Sequence, residues 1–148
     1  MPYFTLRTLG FGPVLVCFVG PSKEREGILK VAEMSVPDFE EVRALIDTGA
    51  SCTCVDPSVL RKLGLSPTGQ VGVYTPSTSS TVPHEADQYD ISVHIPAPDH
   101  APPLVFQNLP VIGAELSHQG YDLLIGRDIL NACLFIYDAR CSAFTLAF

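Results

Sequence analysis

A chain of 148 residues has the length of a single domain, residues 1–148, and can bury about two-thirds of its extended surface. Thirteen Pro and 11 Gly spread among many apolar residues suit short strands joined by turns better than a helical bundle, so an all-β class is expected. A formal charge of -7 with nine scattered basic residues argues against a nucleic-acid partner; five cysteines without framework spacing point to reduced thiols in a cytoplasmic compartment.

Taken in order, Tyr3 to Thr8 alternates and reads as a strand, Leu9 to Pro13 is punctuated as a turn, and Val14 to Val19 is a buried strand. Arg7 ahead of the apolar Leu9 to Gly20 also resembles a signal peptide. However, Gly10, Gly12 and Pro13 interrupt that run, no small-x-small cleavage pattern precedes Lys23, and the run is too short to span a membrane. Pro21-Ser22 opens a charged stretch, and Ile28, Val31 and Ala32 follow at helical spacing. A short helix capped by Ser22 is compatible with this, although Gly27 weakens it.

Glu41 to Asp47 is the next strand, in which Ala44-Leu45-Ile46 delivers Asp47 into a turn of small residues, Thr48-Gly49-Ala50-Ser51. An acid carried to the edge of a core is difficult to ionise unless something pairs with it, and perturbed acids cluster at functional sites. The competing reading is an Asx-type turn in which Asp47 only bonds nearby amides. Thr53-Cys54-Val55 is then a brief strand, and Asp56-Pro57 starts a helix with Asp56 as N-cap and Pro57 in the first turn. Val59, Leu60 and Leu63 form its apolar face, and Gly64 stops it. Cys52 and Cys54 could open a metal site, but no second ligand pair follows, and they are expected as core thiols with no metal or cofactor. His84, His94, His100 and His118 share no spacing that suggests a site.

Gln70 to Tyr74 and Gln88 to Ile95 alternate on either side of the small, polar Thr75 to Thr81. This predicts a hairpin with a soft tip, against the alternative of a solvent-exposed linker. Leu104 to Ile112 is a further strand, and Leu123-Leu124-Ile125 another, after which Gly126 turns the chain into a short helix from Arg127 to Cys133. Leu134 to Tyr137 and Ser142 to Phe148 form a final hairpin around Asp138-Ala139-Arg140.

Ala44 to Ser51 resembles the catalytic signature of aspartic proteases. Leu123-Leu124-Ile125-Gly126-Arg127-Asp128-Ile129-Leu130 resembles the second signature of the retropepsins, the retroviral-type branch. The resemblance covers residues 41 to 148. It implies a closed, barrel-like acid-protease fold with one lobe per chain and one or two short helices, and an aspartic endopeptidase activity. By it Asp47 is catalytic, Thr48 braces the pair of acids through hydroxyl bonds across a two-fold axis, and the backbone of Gly49 faces the substrate main chain. Leu45, Ala50, Ser51 and Leu124 would contact substrate, with apolar side chains preferred beside Leu45 and Leu124. Residues 71 to 84 resemble a flap, placing Tyr74, Thr75, Pro76 and Ser77 over the substrate, although Gly is missing from its tip.

Aspartic-protease chemistry needs two carboxylates, and no second Asp here precedes Thr-Gly or Ser-Gly: Asp56 precedes Pro57, Asp128 precedes Ile129, and Asp138 precedes Ala139. The second acid must come from a second copy. A symmetric homodimer joined through the terminal strands, Tyr3 to Thr8 and Ala143 to Phe148, is therefore expected. Its other partner would be a peptide or protein substrate, with no nucleic acid and no membrane. In the family the second-signature Arg often pairs with an acid just after the first signature. Here Ser51 and Cys52 stand there, which leaves Arg127 a backbone carbonyl or Asp128. The alternative function is a retropepsin-fold module that binds peptides or dimerises and cleaves nothing, and the intact Asp-Thr-Gly argues against it.

Overall fold

Burial alternates along Glu40–Ile46, with Val42, Ala44 and Ile46 inside and Glu41, Arg43 and Leu45 facing away, as a half-covered strand requires. A computed structural model describes residues 1–148 apart from Phe11, Pro76, Ser77, Ser79 and Ser80; the expectations for Pro76 and Ser77 therefore lie outside the described residues. The strands are β1 (Tyr3–Arg7), β2 (Val14–Pro21), β3 (Glu40–Ile46), β4 (Cys54–Val55), β5 (Gly69–Val73), β6 (His84–Ile95), β7 (Leu104–Gly113), β8 (Leu123–Ile125), β9 (Leu134–Asp138) and β10 (Ala143–Ala147). Three short α-helices, α1 (Lys23–Val31), α2 (Pro57–Lys62) and α3 (Arg127–Leu130), sit between them. The class is all-β as expected, with one helix more than the one or two foreseen.

The additional helix is α1. Ser22 caps it by accepting a hydrogen bond from the Arg25 N–H at 3.2 Å, and Glu26 bridges Lys30 one turn on. Gly27 is tolerated because most of this helix lies on the surface, where only Leu29 is buried. For α2 the local signals act as read. Asp56 accepts from the Ser58 N–H at 2.8 Å, Pro57 occupies the first turn, and Gly64 takes the left-handed conformation (φ 62°) that ends the helix. Helix α3 ends earlier than expected, at Leu130, because residues 131–133 turn the chain back into β9.

Seven strands form the larger sheet in the order β2-β3-β8-β4-β7-β6-β5, and an added β2–β6 pairing closes six of them into a barrel. Strand β5 stays outside the ring as the free arm of a hairpin with β6, in register from Gly69 opposite Gln88 to Val73 opposite His84. Inside the barrel Cys17, Val19, Ala44, Val55, Ile91, Val93, Ile95, Leu123, Ile125 and Ile129 are fully or almost fully buried. Each large aliphatic side chain among them contributes about 1.5–3 kcal/mol by leaving water.

The smaller sheet has the order β1-β10-β9 and rests on the core through Phe144 and Leu146. Strand β1 pairs with β10 from Tyr3 opposite Ala147 to Arg7 opposite Ala143, and β9 covers the other side of β10. The two terminal strands expected to join a second copy thus pair with each other within one chain. The C-terminal strand is the middle of its sheet, and the open edges are β1 and β9.

Candidate active site

The pleat of β3 that buries Val42, Ala44 and Ile46 turns Leu45 and then Asp47 to the opposite side. Beside it runs β8, parallel, with Leu45 opposite Leu124 and Ile46 opposite Ile125. The ladder continues one step past the strand: the Asp47 N–H donates to the Ile125 carbonyl at 3.0 Å. Asp47 is thus half-buried at the end of a buried pair of strands. Its Oδ1 accepts the Gly49 N–H at 2.8 Å, and the Ala50 N–H donates to the Asp47 carbonyl at 3.3 Å. A Cβ added to Gly49 would sit 3.1 Å from that Oδ1. The Asx-turn reading is therefore correct as local structure, and it leaves Oδ2 without a partner inside the turn.

The second signature grips this turn. Arg127 donates its backbone N–H to the Ala50 carbonyl at 3.0 Å, and its Nη1 donates to the carbonyls of Thr48 (2.9 Å) and Gly49 (3.1 Å). Of the two partners left open by the sequence, backbone carbonyls are the ones taken. Asp128 accepts the Thr53 N–H on Oδ2 at 2.8 Å. Its Oδ1 accepts the Thr53 hydroxyl at 2.7 Å and the Ile129 N–H at 2.9 Å. Thr53, fully buried, accepts in turn from the Gly126 N–H at 3.2 Å. Both oxygens of Asp128 are engaged in this clamp, which makes it a structural acid.

Of the residues singled out from the sequence, Asp47, Thr48, Gly49, Ala50 and Ser51 lie together in the gripped turn, and Leu45 and Leu124 are direct neighbours on one face beside it. Tyr74 and Thr75 are not part of the clamp; they stand on the β5–β6 hairpin, where the Thr78 hydroxyl donates to the Thr75 carbonyl at 2.8 Å. A cavity of about 270 Å³ lies between the hairpin's base, at Val71, Gly72 and Gln88, and Cys52, Pro110, Val111 and Ile112.

Two further groups stand near the site, of which only Cys54 is among those singled out from the sequence. Tyr121 is buried, donates its hydroxyl to Gln119 Oε1 at 2.8 Å, and has its pKa raised by burial and then by the nearby Asp47 charge. Its place two residues ahead of the Leu-Leu-Ile strand was the only available signal. Cys54 shares β4 with the exit from the turn. Burial first, then Cys52, Asp128 and Asp47, push its thiol up to about 12, so it remains protonated at neutral pH.

The profile of the aspartyl protease family matches residues 32–129, a span that contains both signatures and the clamp between them. This chain belongs to the aspartyl protease family. The fold of this aspartyl protease-family chain is that of the retropepsins. It is similar to the crystal structure of a retropepsin-like aspartic protease from Rickettsia conorii, with a TM-score of 0.61 at 17% identity over 97% of this chain and 89% of that one. Weaker likenesses are to EIAV protease complexed with the inhibitor HBY-793 (TM-score 0.40, 12% identity, 81% of this chain and 86% of that one) and to the retroviral protease-like domain of Ddi1 from Leishmania major (TM-score 0.38, 16% identity, 68% and 74%). Neither adds to the assignment. Among curated proteins none matches the sequence.

Proposed function

We propose that this aspartyl protease-family chain is an aspartic endopeptidase that works as a symmetric homodimer, each copy contributing Asp47. The observation that carries the reading is the held carboxylate: Asp47 is fixed at the end of β3 with one oxygen bonded inside its own turn and the other free of it. Two such carboxylates across a two-fold axis cannot both ionise, and in aspartic proteases they share a proton. One takes a proton from a bound water as the water attacks the peptide carbonyl. The other donates to the developing oxyanion; as the C–N bond breaks, the proton taken from water passes to the leaving amine and the intermediate's hydroxyl returns its proton to the other carboxylate.

The second copy is supported by the occupation of Asp128 in the clamp, which engages the first same-chain candidate for the second acid. Open edges at β1 and β9 support assembly through the small sheet, with Thr48 bracing the two turns across the axis. Leu45 and Leu124, side by side, favour apolar side chains flanking the scissile bond. The β5–β6 hairpin serves as the flap, bringing Tyr74 and Thr75 over an extended peptide whose backbone pairs with Gly49, Ala50 and Ser51. No helix among the described residues is long and apolar enough to cross a membrane. The cysteine usage favours a cytoplasmic setting. The deciding experiment is incubation of the purified chain with a denatured protein from acidic to neutral pH, beside Asp47→Ala. Cleavage by the wild type alone is expected, and equal cleavage by both proteins overturns the reading.

A further inference from the structure

A guanidinium makes its strongest hydrogen bonds to carboxylates. Arg127 finds two neutral carbonyl oxygens instead, on Thr48 and Gly49, both through Nη1. The neighbouring positions that could supply an acid hold Ser51 and Cys52, and the adjacent Asp128 has both oxygens engaged with Thr53 and Ile129. Arg127 is exposed, and among the described residues it forms no ion pair. A guanidinium carries five N–H donors in a planar fork, so the edge formed by Nη2 and Nε keeps its charge and donors available. The two carbonyl bonds hold that fork still at the rim of the Asp47 turn, which lowers the entropy lost when it takes a ligand. With an overall charge of -7 the chain has no general attraction for acidic peptides, so any such attraction must be local.

We propose that Arg127 reads an acidic side chain of the substrate, an Asp or Glu near the scissile bond. The inference rests on the peptide-binding reading of this site. Gly49, whose carbonyl holds the guanidinium, is two residues beyond Asp47. Both residues belong to one tight turn, closed by the Gly49 N–H bond to Asp47 Oδ1, so the fork lies close to a scissile bond held at Asp47. Leu45 and Leu124 take the apolar side chains next to the bond, and the acid falls outboard of them. Its carboxylate pairs with the fork through charge-assisted hydrogen bonds.

The test uses matched peptides with an apolar pair at the scissile bond and either Glu or Gln at the second or third position on each side. Cleavage is measured with the full-length wild type, Ser51→Asp, Arg127→Gln and Arg127→Lys, and binding with Asp47→Asn by fluorescence anisotropy. At one position at least, the Glu peptide is expected to be favoured about five- to tenfold in cleavage and binding, the advantage shrinking at high salt. Ser51→Asp, which adds a carboxylate next to the Ala50 whose carbonyl bonds the Arg127 N–H, and Arg127→Gln should both bring the Glu-to-Gln ratio to about one whatever the total rate, while Arg127→Lys keeps part of the preference. A ratio of one or less at every position overturns the proposal, as does a preference that survives Ser51→Asp and Arg127→Gln, or the absence of both cleavage and binding. Failure of the catalytic reading looks different: nothing is cleaved, yet Asp47→Asn still prefers the Glu peptide, and recognition by Arg127 stands.

Discussion

Gly126 and Cys52 meet backbone to backbone: a Cβ on Gly126 would lie 2.6 Å from the Cys52 carbonyl oxygen and 2.5 Å from its carbon. Neither neighbour is the flexible end of a side chain, so the two signatures can approach this closely only with glycine at 126. Gly126→Ala is expected to destabilise the protein by about 1–3 kcal/mol as the clamp is pushed apart. Urea unfolding measures this directly, and an unchanged midpoint would contradict the contact.

Asp47→Asn or Asp47→Ala should abolish proteolysis while the fold persists. The side chain supplies one exposed hydrogen bond to the Gly49 N–H, so its removal should cost no more than about 0.5–1.5 kcal/mol. Cleavage at the wild-type rate by a folded variant would remove Asp47 from the chemistry.

The pH dependence of kcat/KM should be bell-shaped, because the shared proton belongs to the pair of acids and activity requires the singly protonated form. A rate that climbs steadily into alkaline pH would point to a thiol nucleophile, with Cys52 the first to replace.

Asp56 should set the acid limit of stability. Burial alone would raise its pKa, but hydrogen bonds from Ser58, Ser117 and Leu116 outweigh that and hold the carboxyl well below the usual range. A depressed folded pKa means that its contribution is fully present above the unfolded value, about 3.9, and is lost as pH falls through the folded one. Asp56→Ala should therefore cost about 2–4 kcal/mol near neutral pH, and the gap to wild type should narrow below pH ~4. Denaturant titrations at a series of pH values would show it; a gap that widens in acid would refute the linkage.

The open edge at β9 carries Leu134 and Ile136, each about half exposed (52% and 51%), and the other edge carries Tyr3 at 63%. Ile136→Glu is expected to weaken the homodimer by about tenfold or more and to lower activity in step, without loss of β structure. Sedimentation velocity across a concentration series checks this, and a fully active monomer would overturn the single-Asp mechanism. Deletion of Ala143 to Phe148 should give an unfolded or aggregated chain, because it removes the middle strand of the small sheet.

Along this chain, the sequence by itself determined most strands, the capped helix after Asp56, the hairpin, and the delivery of Asp47 into a tight turn. Those features rest on alternation, capping and turn chemistry within a few residues, which act before distant parts meet. Only the tertiary structure decided that β1 lies against β10, that β2 closes on β6, that Asp128 clamps Thr53, and that Arg127 rests on the carbonyls of Thr48 and Gly49. The partners in each of these pairs are far apart along the chain. A hydrogen-bonding group has many chemically equal partners at such separation, and the choice among them falls to the packing of the barrel.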